Sequence, residues 1–75
     1  MDLKYLTDKI AEIKIPITVI ASKMGISRQS LYLKMHGRRE FKASEIEKIC
    51  GILRLTDTER ALIFFKDMVD KNGNK

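Results

Sequence analysis

The sequence has no tryptophan, one proline and one cysteine among its 75 residues, and aliphatic side chains dominate it. This composition suits an all-α chain better than a sheet. A single cysteine excludes an internal disulfide and is typical of a reducing cytoplasm. No apolar run approaches the roughly 20 residues that span a bilayer, and charges interrupt the first ten residues too early for a signal peptide. We therefore expect a soluble cytoplasmic protein with no membrane contact.

The sequence also has few side chains that could form a catalytic site. Nucleophilic catalysis needs a base beside an activated Ser or Cys, and His36 is the only histidine. The four glycines are scattered, so they form no loop that could cradle a phosphate. Cys50 has no partners for a metal site and is expected to be a small buried residue. We expect no enzyme activity, no cofactor, no metal and no small-molecule substrate.

The length predicts a single domain over residues 1–75, since two folding units would not fit. A chain this short buries only about 60% of the surface that its unfolded form exposes. A second copy could complete such a small core, so a homodimer is plausible.

The net charge of +5 is confined to one region of the chain. Residues 1–22 and 43–75 are balanced. Residues 23–42 hold Lys23, Arg28, Lys34, Arg38, Arg39 and Lys42 against Glu40 alone. A basic region in an otherwise balanced small domain is the footprint of a polyanion ligand. The alternative is an ordinary solvated basic face.

Apolar spacing and capping residues predict five helices. They should cover residues 3–13, 16–24, 28–36, a segment from 43 or 44 to about 53, and 57–70. Capping boxes are expected at Ser44 with Glu47 and at Thr56 with Glu59. Residues 71–75 are expected to be a frayed tail.

The second and third predicted helices are separated by three or four residues. Gly25 can adopt the left-handed conformation that ends a helix, and Ser27 can cap the next one. Leu31 and Met35 lie four residues apart and should face the core. This spacing is typical of a helix-turn-helix over residues 16–37.

The start of the third helix carries side chains suited to reading DNA. The outward set is Ser27, Arg28, Gln29, Ser30, Tyr32 and Leu33. In the major groove Arg28 can form two hydrogen bonds with guanine, and Gln29 can do so with adenine. The hydroxyl groups can donate to phosphates or bases, and Leu33 can contact a thymine methyl group.

Residues 16–37, PITVIASKMGISRQSLYLKMHG, resemble the helix-turn-helix of the lambda-repressor-like Cro/CI (XRE) family. The pair Ile20-Ala21, the triplet Gly25-Ile26-Ser27 and the closing Gly37 stand at the expected spacing. The likeness continues through Glu45-Ile46 to Leu55-Thr56-Asp57, and Ile63-Phe64-Phe65 is similar to the ending of small prophage Cro-like regulators.

The resemblance implies a compact five-helix fold, operator binding and frequent dimerisation. It aligns the outward set with DNA-contacting positions, and it aligns Arg38, Arg39 and Lys42 with a loop that often meets phosphates. Two positions differ from the family pattern. Ile17 stands where Gln is common, and Lys34 stands where many members bury an apolar residue.

The fifth predicted helix supplies the candidate dimer contact. Its apolar residues cover a broad arc that should mostly face the core, whereas Ile63 is predicted to point the other way. Ile63, with Phe64 beside it, is therefore the possible subunit contact. A symmetric dimer would place two recognition helices about 34 Å apart on a near-palindromic site.

The sequence thus predicts a sequence-specific regulator of transcription that binds double-stranded DNA. A prophage-type repressor associated with the nucleoid is the favoured interpretation. Two alternatives remain open: a protein-interaction module on the same scaffold, and a DNA-binding protein without sequence preference.

Overall fold

The computed structural model describes residues 1–65, and these form five α-helices and no β-strand. The helices are α1 (Leu3–Ile13), α2 (Ile17–Met24), α3 (Arg28–Met35), α4 (Ala43–Leu53) and α5 (Asp57–Phe64). The predicted all-α class is confirmed. The fifth helix leaves helical geometry at Phe65, earlier than expected. The remainder of its predicted extent, 66–70, and the predicted tail, 71–75, lie outside the described residues.

The first three helices begin and end at the residues that the capping signals predict, to within one position. Asp2 Oδ1 accepts a hydrogen bond from the Tyr5 amide at 3.0 Å, which caps α1. Gly25 has a φ of 76° and ends α2. In this left-handed region glycine avoids the strain that a β-carbon introduces. The short connection between α2 and α3 therefore follows directly from the sequence.

The predicted capping box at Ser44 and Glu47 is wrong. Helix α4 begins at Ala43, within the predicted bounds, but its cap residue is Lys42, two positions before Ser44. Glu45, the third residue of the helix, accepts a hydrogen bond from the Lys42 amide at 2.8 Å. Glu47 instead pairs with Arg60 of α5 at 2.8 Å. The sequence signal failed because the helix has its cap at Lys42, so Glu45 and not Glu47 stands in the first turn.

The predicted orientation of α5 is also wrong. Ile63 is 0% exposed and lies in the core, whereas Leu62 is 41% exposed. Phe64 is buried too, with its ring edge on Phe41 at a centroid distance of 5.3 Å. The predicted dimer contact at Ile63 and Phe64 is therefore wrong. Both side chains are occupied within one copy of the chain and offer no surface to a second.

Contacts between α1 and α5 fix this orientation. Glu59 lies 2.8 Å from Lys9 Nζ and accepts a hydrogen bond from the Tyr5 hydroxyl at 3.1 Å. The Lys9 ammonium and the Thr56 amide hold the pKa of the Glu59 carboxyl at about 2. The Asp2 amide also donates to the Ile63 carbonyl at 2.8 Å. Because Glu59 and Ile63 are one helical turn apart, both face α1.

The core is built mainly from aliphatic side chains of all five helices. Helix α2 packs against α3 and α4, and α1 packs against α3, α4 and α5. The largest fully buried side chains are Leu6, Ile20, Met24, Leu31, Ile49 and Ile63. Burial raises the pKa of the Cys50 thiol, so this group is a neutral part of the core. The packing leaves one side of α3 uncovered.

Candidate nucleic-acid interface

Helix α3 is fixed to the protein by one face only. Its buried residues are Leu31, Lys34 and Met35. Ser27 Oγ accepts a hydrogen bond from the Ser30 amide at 3.0 Å and so defines the start of the helix. None of the residues that precede Leu31 in this helix is buried. Arg28 and Gln29 are exposed at its first turn.

The side chains predicted to contact DNA lie on the surface. Those that are exposed are Ser27, Arg28, Gln29, Tyr32, Arg38, Arg39 and Lys42. Ser30 and Leu33 are half-buried. Among the described residues, no carboxylate forms an ion pair with an arginine of this set. Their charges are therefore available to a ligand from solution.

Tyr32 and His36 form an aromatic pair on the exposed side of α3. Their ring centroids are 4.2 Å apart with an interplanar angle of 46°. Tyr32 is 56% exposed, which is high for an aromatic side chain in a small domain. The pair extends the surface that begins at Arg28 towards the C-terminal end of the helix.

An open groove of about 1120 Å³ separates this side of α3 from α1 and the start of α2. Arg28, Gln29, Tyr32 and His36 line one wall. The other wall is formed by Thr7, Ala11, Lys14, Ile15, Pro16 and Ile17, with Ile10 and Met35 also contributing. No acidic side chain of the described residues lines the groove. Sequence reasoning missed Lys14 here, because it belongs to a segment whose charges balance.

One cation of the basic region does not belong to the surface. Lys34 is 4% exposed, and its Nζ lies 2.9 Å from Oε1 of Glu45. Burial raises the pKa of Glu45, but the Lys42 amide and the Lys34 ammonium outweigh it and hold the value below the ordinary range. The surface charge of residues 23–42 is therefore five exposed cations against one carboxylate, Glu40.

The loop between α3 and α4, residues 36–42, carries three of these cations. Gly37 has a φ of 75°, and the Arg38 amide donates to the Leu33 carbonyl at 2.9 Å, which turns the chain away from α3. Phe41 is buried and anchors the loop in the core. Arg38 and Arg39 stand on the exposed stretch between these two points.

Residues 1–65 contain no group of three His, Cys, Asp or Glu side chains that could hold a metal ion. Across the same part of the chain, no helix has the length and apolar character needed to traverse a lipid bilayer. Comparisons with protein-family models, with curated proteins and with solved structures give no match to this chain. The geometry of the surface therefore carries the functional interpretation.

Proposed function

We propose that the protein is a sequence-specific regulator of transcription that inserts α3 into the major groove of double-stranded DNA. The observation that carries the proposal is the exposed first turn of α3, where Arg28 and Gln29 face solvent while buried residues farther along the helix anchor it to the core. An α-helix fits the major groove, and these two side chain types read guanine and adenine through paired hydrogen bonds. In the family that residues 16–37 resemble, this is the recognition helix.

The surrounding charges support the same docking. Arg38, Arg39 and Lys42 are exposed on the loop that follows α3, and Lys14 borders the groove on its other side. Cations on both sides of a reading helix can contact the phosphates that flank a major groove. Repression would then need no chemistry, because a bound protein blocks access to the site.

Selection of bound fragments from a randomised duplex library tests this proposal. We expect an enriched motif with guanine and adenine at adjacent positions, and a gel shift of that duplex which weakens as salt rises. Equal affinity for all fragments would favour the alternative of DNA binding without sequence preference. No retardation of any duplex at low salt would refute DNA binding.

A homodimer on a near-palindromic operator remains part of the proposal, because the family resemblance implies it. Ile63 and Phe64 do not support it, since both lie in the core. Two copies would place two reading helices about one DNA turn, or 34 Å, apart. Symmetry in the selected motif tests this element independently of the protein contacts.

The groove beside α3 favours a second candidate, a protein-interaction module. Ala11, Ile15, Pro16 and Ile17 give it a largely apolar wall, which is typical of a surface that receives a protein segment. The same selection experiment separates the two candidates, since an interaction module would not enrich a duplex sequence.

A further inference from the structure

A buried ion pair lies behind the exposed side of α3. Lys34 and Glu45 are 4% and 8% exposed, and their charged atoms are 2.9 Å apart. Removing two charges from water is unfavourable, and replacing such a pair with apolar side chains is often neutral or stabilising. Stability alone is therefore a poor explanation for a lysine at a position that faces the core.

Both partners also hold the backbone of the loop at residues 36–42. Lys34 Nζ donates to the Glu40 carbonyl at 3.2 Å, and Glu45 Oε1 accepts from the Lys42 amide at 2.8 Å. Apolar side chains could fill the same volume, but they could form neither hydrogen bond. The ion pair thus fastens the second half of the loop to the last turn of α3 and the first turn of α4.

Two further contacts hold the loop on either side of its arginines. The Arg38 amide bonds to the Leu33 carbonyl, and the Phe41 ring packs against Phe64. Arg38 and Arg39 therefore stand on a short exposed stretch whose two ends are both tied to structure. A loop ordered in advance loses less conformational entropy when its side chains bind a ligand.

We propose that Lys34 and Glu45 are positioning residues that hold Arg38 and Arg39 at a fixed place relative to the reading helix. The loop and α3 then reach the phosphates and the bases of one duplex together. This inference rests on the proposed function. It adds that the ion pair sets the distance between α3 and the loop arginines.

The test compares two double variants, each of which replaces one lysine and the glutamate that it pairs with, so the net charge is unchanged. Lys34→Met with Glu45→Met removes the pair behind α3. Lys9→Met with Glu59→Met is the matched control, because it removes the 2.8 Å pair between α1 and α5 together with a helix-capping carboxylate. Duplex binding is measured for both across a range of salt concentrations, with circular dichroism to confirm folding.

We expect the Lys34→Met/Glu45→Met variant to bind the selected duplex more weakly and with a shallower dependence on salt. The slope of log K against log salt should fall by about 0.9 to 1.8, as one or two phosphate contacts are lost. The control should keep the slope of the natural sequence. A folded Lys34→Met/Glu45→Met variant with an unchanged slope would contradict the proposal.

Amide hydrogen exchange in the free protein gives a second measurement that does not depend on DNA. Exchange at Lys42 should accelerate by about tenfold or more in the Lys34→Met/Glu45→Met variant, because its acceptor is gone. Exchange at Arg38, which bonds to the backbone of Leu33, should change far less. Unchanged exchange at Lys42 would overturn the positioning role.

Two further outcomes remain decisive. If the natural protein binds no duplex, the proposed function fails, and exchange at Lys42 still tests the positioning role of the pair. If the double variant does not fold, Glu45→Gln replaces it, since the neutral amide oxygen of glutamine is a weaker acceptor for the Lys42 amide than the carboxylate is. Faster Lys42 exchange in Glu45→Gln would support the proposal, and an unchanged rate would refute it.

Discussion

Arg28 and Arg39 carry the same charge but have different expected roles. Arg28 begins the exposed face of α3, whereas Arg39 stands on the loop that follows it. A side chain that contacts base edges discriminates between sequences, while a side chain on phosphate strengthens all complexes alike. Single substitutions can therefore separate the two roles.

Arg28→Ala should weaken binding to the selected duplex by about 1 to 3 kcal/mol and relax the preference at one base pair. Arg39→Ala should weaken all duplexes alike and make the salt dependence shallower by about 0.9. Arg54→Ala, at the end of α4, removes the same charge outside the basic region and serves as the control. Titrations of selected and scrambled duplexes measure these effects. Equal losses for Arg28→Ala on both duplexes would rule out base reading by this residue.

Ile63 and Leu62 test the corrected orientation of α5. Ile63 is fully buried, so Ile63→Ala should lower the free energy of unfolding by about 2 to 5 kcal/mol. Leu62→Ala is the matched control and should change it by less than about 1 kcal/mol, since Leu62 is already 41% exposed. Urea denaturation of the two variants gives both values. A larger loss for Leu62→Ala would restore the orientation predicted from the sequence.

At the scale of elements, the sequence predicts α1, α2 and α3 well because each has a clear apolar spacing and a local capping signal. Helix α5 differs, because Ala61, Leu62, Ile63, Phe64 and Phe65 form an unbroken apolar run. Such a run has no period and cannot indicate which side of the helix faces the core. The contacts of Glu59 with Tyr5 and Lys9 decide that, and they join residues far apart in the chain.

The candidate site also has residues that the sequence predicts and residues that it does not. Gln29 is predictable because helical spacing places it opposite Leu31, and Arg28 because it stands at the first position of the helix. The loop arginines are predictable because they follow Gly37, which ends the helix. The ion pair of Lys34 with Glu45 was not predictable, because a lysine in a basic stretch is ordinarily solvated. Lys34 is buried because α3 lies against the start of α4, where Glu45 pairs with it. It therefore adds no charge to the surface.

The junction of α1 with α5 should make stability depend on acidity. The Glu59 carboxylate has its pKa lowered to about 2 from an ordinary value of 4.5, chiefly by Lys9. A lowered pKa in the folded state gives stability that is present above pH 4.5 and is lost as pH falls towards 2. Glu59→Gln should therefore be less stable at neutral pH, and its stability should change less over this acid range.

Thermal unfolding at several pH values between 2 and 7 measures this effect. Asp8→Asn is a suitable control, since Asp8 pairs with Lys4 on the exposed side of α1, where both side chains are mostly solvated. Parallel stability curves for Glu59→Gln and the natural sequence would show that Glu59 does not contribute to the pH dependence.

For the binding of the whole molecule to a polyanion, the distribution of charge matters more than the net charge. Among the described residues, five exposed cations lie between residues 23 and 42, while Lys9, Arg60 and Lys4 are paired with carboxylates elsewhere. A protein with this asymmetry should approach a polyanion with α3 in front, and its rate of association should fall steeply with salt.

The number of copies that bind one DNA site is also a property of the whole molecule. We expect two copies of the chain on one near-palindromic duplex, and sedimentation velocity with a labelled duplex measures this ratio. A duplex with one half-site should bind a single copy more weakly, because the second copy adds its own contacts. One copy at saturation on the full site would exclude the symmetric arrangement.

The attachment of α3 by only Leu31, Lys34 and Met35 has an evolutionary consequence. Its exposed positions have little part in folding, so they can be exchanged at small thermodynamic cost. If α3 reads DNA as proposed, replacing Arg28 or Gln29 would change the target preference while the scaffold stays the same. The residues that would read DNA can then change without a change in the fold.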